Sequence, residues 1–327
     1  MGKIALAIHG GAGTILRSAM TPELELEYRT GLENALRIGW SILEKGGSSL
    51  DTVEAVTADL EDFPLFNAGR GSVFTHEGKN EMDAAIMDGK TLKAGAVAFV
   101  RNIKNPVSLA RLVMEHTEHV LLAGDGAARF AELMNVEIAD DAYFFTEHRY
   151  AQMLQAREAG VVQLDHTAEE PEIVEALAGA ASLVDTEAQI RKPLGTVGAV
   201  ACDTSGNLAA ATSTGGMTNK QFGRIGDTAL IGAGTYADNI CAVSCTGYGE
   251  FFMLGVTAYD LAARMKYKGL NLQEAARETI DHLTSIGGEG GLIAVDAQGN
   301  VVLPFNSDGM YRGSIQTDSE IYINIYR

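Results

Sequence analysis

The sequence has few cysteines, tryptophans and prolines. Its 327 residues include 3 cysteines, 1 tryptophan and 6 prolines. Cys202, Cys241 and Cys245 are odd in number and lack the paired spacing of a metal site. Such sparse use predicts a chain without a disulfide framework, as expected in a reducing cytoplasm.

Positive charge and long apolar runs are also scarce. Lysine and arginine total 25 against 43 acidic residues, which gives a formal net charge of −18. A nucleic acid partner needs a basic protein surface, so this balance argues against one. No apolar run approaches the ~20 residues of a membrane span, and the short run at 4–8 predicts a first strand, not a secretory signal. We therefore expect a cytoplasmic protein that binds neither nucleic acid nor membrane.

The overall composition is that of a globular protein, with 46% hydrophobic and 21% charged residues. We predict a single domain over 1–327, with strands and helices in its first half. These elements are a strand at 4–8 ending in a glycine turn at 10–13, a helix from Thr21-Pro22, a second helix from a capping box at 51–54, strands at 84–87 and 94–100, and helices at 105–116 and 126–134. The pattern loosens after 136, and 161–195 is predicted to be a mobile, partly acidic linker.

The second half is predicted to be richer in strands. Small apolar residues lead into an Asp-x-x-Gly-Asn turn at 203–207 and again at 296–300. Two such hairpins favour antiparallel sheet. Helices are predicted between them at 249–266 and 271–285, the second opened by Asn271-x-x-Glu274. The whole pattern indicates an α+β fold with helices packed over antiparallel sheet.

One threonine lies in a stretch of small residues, Leu-Gly-Thr-Val-Gly-Ala-Val at 194–200. Threonine is a poor nucleophile unless a base removes its proton, and an α-amine of pKa about 8 on the same residue can do so. Thr196 gains that amine only if the Gly195–Thr196 bond is cut, and glycine tolerates the strained backbone that cutting needs. On this stretch alone, an ordinary buried strand threonine is the competing interpretation.

Several further motifs follow one another along the chain. They are His-Gly-Gly-Ala-Gly at 9–13, Phe-Asn-Ala-Gly at 66–69, Ala-Thr-Ser-Thr-Gly-Gly at 211–216, Gly-Arg-Ile-Gly-Asp at 223–227 and Ser-Cys-Thr-Gly-Tyr-Gly-Glu at 244–250. Together with Gly-Thr-Val-Gly-Ala-Val at 195–200, this series resembles the plant-type asparaginase/isoaspartyl peptidase family. Members of that family are N-terminal-nucleophile hydrolases related to the glycosylasparaginases.

The resemblance implies a fold and a maturation step. The fold would be a four-layer αββα sandwich with antiparallel sheets between helical layers. The chain would be made as an inactive precursor that cuts itself before Thr196. The two pieces, 1–195 and 196–327, would remain one domain and pair into a dimer of heterodimers, a heterotetramer. The implied substrates are isoaspartyl dipeptides and the side-chain amide of L-asparagine.

The resemblance also implies roles in catalysis. Thr196 would be the nucleophile and its new amine the base, and Thr214 would support its activation. Thr246 and Gly247 would form the oxyanion pair from a hydroxyl and a backbone N–H. Gly195 and Asn67 would take part in self-cleavage, although an ordinary turn asparagine is the competing interpretation of Asn67.

A second set of residues would hold the substrate. By the same resemblance, Arg224 and Asp227 bind its α-carboxylate and α-amine, and Gly249 lines the pocket. The chemistry agrees, because arginine binds carboxylates in bidentate fashion and aspartate pairs with ammonium groups. Taken alone, however, the two residues would more often form a surface salt bridge. Tyr248 lies where a smaller residue is common in the family, which puts the pocket volume in doubt.

The resemblance implies no organic cofactor but allows a structural ion. The family often holds sodium or potassium on backbone carbonyls, here around Leu60, Glu61 and Phe63. Zinc is not expected, because the helical spacing of His116 and His119 has no wider ligand pattern around it.

Other functions remain as alternatives at this point. A glycosylasparaginase is the nearest, followed by a taspase-like protease. A non-catalytic amino-acid-binding protein would use Arg224 and Asp227 while Thr196 stays internal. A serine esterase is disfavoured because the His9 loop has no Gly-x-Ser-x-Gly partner. Dinucleotide binding at 10–13 or 232–234 is disfavoured because the full glycine spacing is missing.

Overall fold

A computed structural model describes residues 2–162 and 195–327 of the chain, as a mixed α+β fold. Most of the predicted linker at 161–195 lies outside these described residues. Within them, no helix is both long enough and apolar enough to cross a membrane.

The first of the described ranges contains most of the helices. Its helices are α1 (Pro22–Glu44), α2 (Ser49–Asp62), α3 (Pro106–His116), α4 (Gly124–Leu133), α5 (Asp141–Phe144) and α6 (Glu147–Glu158). Its strands are β1 (Ala5–Gly13), β2 (Met82–Asp88), β3 (Lys93–Val100) and β4 (Leu121–Ala123). Short 3-10 turns lie at Arg17–Ala19 and Gly69–Gly71.

The second described range contains most of the strands. Its strands are β5 (Val197–Cys202), β6 (Leu208–Thr214), β7 (Thr235–Ala237), β8 (Cys241–Gly247), β9 (Gly290–Asp296), β10 (Val301–Val302), β11 (Gly309–Gln316) and β12 (Tyr322–Tyr326). Its helices are α7 (Gly249–Gly255), α8 (Thr257–Lys268) and α9 (Leu272–Ser285).

Eight strands form the larger sheet, in the order β12-β11-β1-β5-β6-β2-β3-β4. All neighbours are antiparallel except β3 and β4. Strand β5 lies between β1 and β6, with Ala199 opposite Ile8 on one side and Ala211 on the other. Thr196 comes immediately before β5, so the predicted nucleophile lies at the entrance to a central strand.

Four strands form the smaller sheet, in the antiparallel order β10-β9-β8-β7. Both predicted hairpins are present, β5–β6 in the larger sheet and β9–β10 in the smaller. In each turn an aspartate closes the loop, because Asp203 Oδ1 accepts from Asn207 N and Asp296 Oδ1 accepts from Asn300 N. The prediction of antiparallel hairpins is therefore confirmed.

Three buried apolar clusters hold the elements together by removing apolar surface from water. The first joins α1, α2 and α3 to one face of the larger sheet, with Leu36 and Leu60 packed among Leu6 and Ile8. The second joins α8 and α9 to the smaller sheet. The third contains residues of both sheets, among them Val200 of β5 and Val295 of β9. The two sheets thus share an apolar interior, while each also packs against helices.

The prediction that the first strand ends before a glycine turn is wrong. Strand β1 continues through Gly13 and stays paired with β11, with one irregularity between His9 and Gly11. Gly10 is glycine for a different reason, since a Cβ there would lie 2.3 Å from Cε1 of Phe66. The glycine run therefore allows a ring to pack against the strand, and it does not reverse the chain.

Two predicted helix boundaries also need correction. Helix α2 starts at Ser49, because Ser48 caps it by accepting from Asp51 N at 3.0 Å, so the capping box at 51–54 is wrong. The helix predicted over 249–266 is two helices, α7 and α8, broken at Val256, whose φ is +46°. The region after residue 136, where the sequence has no clear regular pattern, contains the helices α5 and α6. The Asn271–Glu274 capping box is confirmed.

Candidate active site

Thr196 lies in a buried cluster of hydroxyl, amide and carbonyl groups. Its side chain is 7% exposed. Thr196 Oγ1 lies 2.8 Å from the carbonyl oxygen of Gly195 and 3.1 Å from Thr214 Oγ1. Thr214, at the end of β6, lies in the same sheet as β5, so the pairing of the two strands brings the threonines together. Both predicted threonines are thus adjacent to the peptide bond that would be cut.

The carbonyl oxygen of Gly195 accepts hydrogen bonds from two other side chains. Asn67 Nδ2 donates to it at 2.9 Å and Thr214 Oγ1 donates at 3.1 Å. Thr214 Oγ1 also accepts from Gly216 N at 2.9 Å, which fixes its position. Two donors therefore face the oxygen that would become negative if Thr196 Oγ1 attacked the Gly195 carbonyl carbon.

The orientation of Asn67 is fixed by its remaining bonds. Its Nδ2 also donates to Gly216 O at 2.8 Å, and its Oδ1 accepts from Val73 N at 3.0 Å. Since Val73 N can only donate, Oδ1 must face it and Nδ2 must face the two carbonyls. The side chain of this buried asparagine therefore contacts the peptide group that precedes Thr196.

A buried arginine supports the loop that carries Asn67, and the sequence did not reveal it. Arg149, on α6, is 1% exposed. Its Nε donates to Gly71 O at 3.0 Å and its Nη2 donates to Leu65 O at 2.9 Å. These bonds tie both sides of the Asn67 loop to α6. The only available signal was an arginine in a stretch of weak helical pattern, which does not distinguish it from a surface residue.

The predicted oxyanion pair lies at the end of β8. Thr246 is buried, and its Oγ1 accepts from Ala12 N at 3.2 Å, which leaves the hydroxyl hydrogen to donate elsewhere. Gly247 lies opposite Gly290 in β9. A Cβ at Gly247 would lie 2.2 Å from the Phe252 ring and 2.6 Å from Glu289 O, so no larger residue fits without movement.

The predicted substrate-binding residues are close neighbours. A Cβ on Gly249 would lie 2.7 Å from Asp227 Oδ1 and 2.9 Å from Arg224 Nη2. The absent side chain therefore leaves space directly over both charged groups. Gly216 connects this region to the threonines, because a Cβ there would lie 3.5 Å from Arg224 Nη1 while its backbone bonds Asn67 and Thr214.

Glu250 is an additional member of the site that the sequence did not identify. Arg224 Nε and Nη2 donate to its two carboxylate oxygens at 3.0 and 2.9 Å. Burial disfavours the charge of Arg224, but these bonds outweigh it and raise its pKa. The competing interpretation of an Arg224–Asp227 surface salt bridge is wrong, since the bidentate partner is Glu250.

Asp227 is buried, and its Oδ2 is among the buried polar atoms without a hydrogen-bond partner in the described residues. Burial raises the pKa of Asp227 to about 7, although Arg224 opposes this rise. A carboxylate beside a guanidinium suits a ligand that carries both an ammonium and a carboxylate. An α-amino acid is such a ligand.

Tyr248 occupies the position at which the family resemblance predicts a smaller residue. Its side chain packs against Met217, and its ring lies 5.4 Å from that of Phe251. The ring therefore contributes to the apolar surroundings of the site between Thr246 and Gly249.

The structure also bears on the predicted ion sites. Within 2–162 and 195–327, no group of three or more His, Cys, Asp or Glu side chains could hold a metal. His116 and His119 are both exposed. Leu60 and Glu61 lie in the last turn of α2, where helix carbonyls lack intrahelical donors. A Cβ on Gly69 would lie 2.4 Å from Glu61 O, so the following loop folds back on this helix end.

Comparisons with known proteins agree with this geometry. A family model described as asparaginase matches residues 2–325. An isoaspartyl peptidase of Salmonella typhimurium is 52% identical over 95% of this chain and 95% of its own. An isoaspartyl peptidase of Escherichia coli is 51% identical over 95% of this chain and 92% of its own. An isoaspartyl peptidase/L-asparaginase of Xenopus laevis is 40% identical over 99% of this chain and 96% of its own.

Proposed function

Because the chain belongs to the asparaginase family, a family of hydrolases, we propose that it cleaves isoaspartyl dipeptides and the side-chain amide of L-asparagine. We further propose that it becomes active by cutting its own Gly195–Thr196 bond. One observation carries this proposal: Asn67 and Thr214 both donate to the Gly195 carbonyl oxygen while Thr196 Oγ1 lies 2.8 Å from that oxygen. The names of the relatives support the choice of substrate.

Self-cleavage begins when Thr196 Oγ1 attacks the carbonyl carbon of Gly195. Thr196 passes its hydroxyl proton toward Thr214, whose own hydroxyl donates to the carbonyl oxygen. The developing oxyanion is stabilised by Asn67 Nδ2 and Thr214 Oγ1, and each such donor is worth ~3 kcal/mol in comparable sites. The C–N bond then breaks, its nitrogen takes a proton, and an ester joins Gly195 to Thr196. Water hydrolyses this ester, giving a Gly195 carboxylate and a free Thr196 amine.

In the mature enzyme, the Thr196 amine removes the proton from Oγ1, which attacks the substrate's side-chain carbonyl. Thr246 Oγ1 and Gly247 N–H stabilise the resulting oxyanion. The amine of Thr196 returns the proton to the leaving nitrogen, which departs as ammonia or as the amine of an amino acid. Water then releases aspartate from Thr196.

Arg224 and Asp227 hold the amino acid head group during this reaction. Glu250 engages Nε and Nη2 of Arg224, so Nη1 is left to bind the α-carboxylate, and Asp227 Oδ1, which faces Gly249, accepts from the α-ammonium. Gly249 supports this assignment, because any larger side chain would occupy the space over both groups. The bond to the β-carbonyl of the substrate then lies at Thr196. The names of the relatives given above support this substrate, and they do not support a glycosylasparaginase or a non-catalytic binder.

The proposal extends to the organisation of the molecule. We propose a four-layer αββα sandwich, supported by apolar clusters that join each sheet to helices and the sheets to each other. Residues 1–195 and 196–327 would form its two chains in a single domain. Two such heterodimers would pair. A molecular mass in solution of about twice the single-chain mass of 34.7 kDa would support this pairing.

We also propose a sodium or potassium ion on the backbone carbonyls around Leu60, Glu61 and Phe63. Carbonyl oxygens suit such ions, and Leu60 and Glu61 lie at the end of α2. The ion would hold the start of the Asn67 loop. Exchanging sodium and potassium for tetramethylammonium should then lower the melting temperature, and an unchanged melting temperature would contradict the ion site.

A hydrolysis assay tests the proposed activity. Purified enzyme should release aspartate from a β-aspartyl dipeptide and from L-asparagine, and should leave the matching α-aspartyl dipeptide intact. The Thr196→Ala variant provides the control, because it lacks the nucleophile and should release nothing. Release at an equal rate from Thr196→Ala, or from the α-linked dipeptide, would contradict the proposal.

A further inference from the structure

A line of buried polar side chains runs from the backbone of Thr196 into the interior between the sheets. His9 Nδ1 lies 3.0 Å from Thr196 O, and His9 Nε2 lies 2.9 Å from Ser244 Oγ. Ser244 Oγ lies 2.7 Å from Thr212 Oγ1, which accepts from Thr235 Oγ1 at 2.7 Å. These four side chains, which we call the His9 relay, are each 0% exposed.

Because Thr196 O is an acceptor only, it fixes the direction of the hydrogen bonds made by His9, Ser244 and Thr212. Thr196 O can only accept, so His9 Nδ1 carries the proton and Nε2 is the acceptor. Ser244 therefore donates to Nε2 and accepts from Thr212. Burial lowers the pKa of His9 to about 3, although the bond to Thr196 O opposes this, so the ring is neutral near pH 7. Ser244 and Thr212 then each donate once in the direction of Thr196 and accept once, whereas Thr235 Oγ1 can donate either to Thr212 Oγ1 or to Thr228 O at 3.2 Å.

The relay crosses between the two sheets. His9 lies on β1 and Thr212 on β6 of the larger sheet, whereas Ser244 lies on β8 and Thr235 on β7 of the smaller. The ring is therefore held from the opposite sheet and cannot turn without breaking a buried hydrogen bond. Leaving such groups unpaired costs more than the bond itself contributes.

Gly198 leaves the space in which the ring and the serine meet. It lies opposite His9 in the pairing of β1 and β5. A Cβ at this position would lie 2.5 Å from His9 Nε2 and 2.0 Å from Ser244 Oγ. Even alanine would thus collide with the bond that fixes the ring. The glycine explains how two polar side chains fit inside an otherwise apolar layer.

The position of Thr196 in the chain makes the contact between His9 and its carbonyl group important. It precedes β5, whose first residue is Val197, so it lies outside the strand. Under the proposed function, cleavage also removes the peptide bond that joins it to Gly195. The nucleophile is then a chain terminus, held by its side chain and by its own carbonyl group.

We propose that His9 is a positioning residue for the nucleophile. Its Nδ1–H holds the carbonyl of Thr196, and the other members of the relay hold the ring in the tautomer that can donate. The contact orients the Thr196 backbone before cleavage and keeps the new terminus in place afterwards. This inference rests on the proposed function, since it concerns the same nucleophile.

Two substitutions at His9 separate positioning from simple stability. His9→Asn places an amide N–H near the position of Nδ1, whereas His9→Leu fills the space without a donor. Leu261→Ala is the stability control, because Leu261 lies in the apolar cluster of α8 and α9, away from the relay. The measurements are the rate of self-cleavage, kcat and KM of the cleaved fraction, and the melting temperature.

We expect His9→Leu to lower the cleavage rate and kcat by about 10- to 100-fold, the size of effect that a small misplacement produces. KM should change little, because Arg224 and Asp227 still hold the head group. His9→Asn should recover most of kcat despite a similar loss of melting temperature. A His9→Asn enzyme no faster than His9→Leu, or a His9→Leu enzyme as fast as Leu261→Ala, would overturn the inference.

If His9→Leu does not fold, Ser244→Ala provides the second test. It keeps the ring and removes the hydroxyl that holds its tautomer, so kcat should fall below that of Leu261→Ala with KM again little changed. Equal kcat values in the two variants would overturn the inference. Failure of the proposed function has a different result, since wild-type protein would then neither cut itself nor hydrolyse substrate.

Discussion

Asn67 and Gly195 are 128 residues apart in the sequence, yet Asn67 Nδ2 donates to the Gly195 carbonyl oxygen at 2.9 Å. The contact depends on the loop after α2, whose backbone Arg149 holds at Leu65 and Gly71. The first part of the chain thereby supplies a donor to the bond that precedes the second part. In the proposed reaction, this donor stabilises the oxyanion of self-cleavage.

Replacing Asn67 by aspartate should slow self-cleavage. The variant keeps the shape of the side chain but loses the donor to Gly195 O and places negative charge beside the developing oxyanion. We expect a rate about 10²-fold lower, as for loss of one oxyanion donor. The fraction of cut chain over time, measured by intact mass, reports this rate. Asn324→Asp on β12 is the matched control and should cleave like the wild type; equal rates in Asn67→Asp would refute the assigned role.

Replacing Arg224 by lysine should weaken substrate binding. Lysine keeps the positive charge but cannot form the bidentate bonds that a carboxylate makes with a guanidinium. We expect kcat/KM to fall about 10- to 100-fold, the range for charged hydrogen bonds, mainly through KM. Arg264→Lys is the control, because Arg264 also bridges two carboxylates, Asp260 and Glu278, but lies on α8. If both lysine variants lose activity equally, Arg224 does not bind substrate.

The activity should depend on the ionisation of Asp227. Burial raises the pKa of Asp227 to about 7, against the opposing effect of Arg224 and with smaller contributions from Glu250 and Asp83 in the same direction as burial. Only the carboxylate pairs with the substrate's ammonium, so kcat/KM should rise as the pH increases through about 7. The Thr196 amine, with a reference pKa of about 8, adds a second rise in the same direction.

The Asp227→Asn variant isolates the contribution of this carboxyl group. Its kcat/KM should be lower, and the rise near pH 7 should be missing while that of the amine remains. Asp260→Asn, on α8, provides the charge-matched control. A pH profile of Asp227→Asn that has the same shape as the wild-type profile would exclude Asp227 as the titrating group.

The free energy of unfolding should decrease as the pH rises, because of the buried side chain of Glu61. Burial raises the pKa of Glu61 from 4.5 to about 8, although the nearby Ser213 hydroxyl and the hydrogen bond from Val107 N oppose this. Between these two values the folded protein holds a proton that the unfolded chain releases. The free energy of unfolding should therefore fall as the pH rises through this window, by up to about 1.4 kcal/mol per pH unit from this group.

Glu61→Gln should remove this dependence. Glutamine is neutral at every pH and retains an oxygen to accept from Val107 N, as Glu61 Oε1 does at 3.0 Å. The difference in free energy of unfolding between the variant and the wild type should grow from pH 5 to pH 8 when measured by urea titration. Glu77→Gln is the control, because Glu77 is exposed. A constant difference for Glu61→Gln would show that Glu61 does not titrate in this window.

Local sequence patterns predict the parts of the fold that local physics decides. The hairpin turns of Asp203 and Asp296 follow from short-range bonds between the aspartate and the backbone four residues on. The capping box of Asn271 is local in the same way. In contrast, Gly255 indicates a break near this point but not its position, because Val256, and not the glycine, takes the left-handed φ of +46°.

The site could be predicted only as far as its motifs extend. Thr196 and Asn67 stand in ordered motifs of a known family, and the structure brings both to the Gly195 carbonyl. Arg149 lies outside any motif, since its partners in the Asn67 loop are backbone oxygens that any residues could supply. The bond between His9 and Ser244 spans 235 residues, so only the pairing of strands in three dimensions reveals it.

The measurement that tests the central claim most directly is the intact mass of the purified protein, with the N-terminal residue of each fragment. The wild type should yield two fragments, one of which begins at Thr196. The Thr196→Ala variant should remain a single chain, with the 34.7 kDa mass of the uncut protein minus the atoms that the substitution removes. A wild-type chain that stays whole under conditions where it hydrolyses substrate, or a cut in Thr196→Ala at the same bond, would contradict the account.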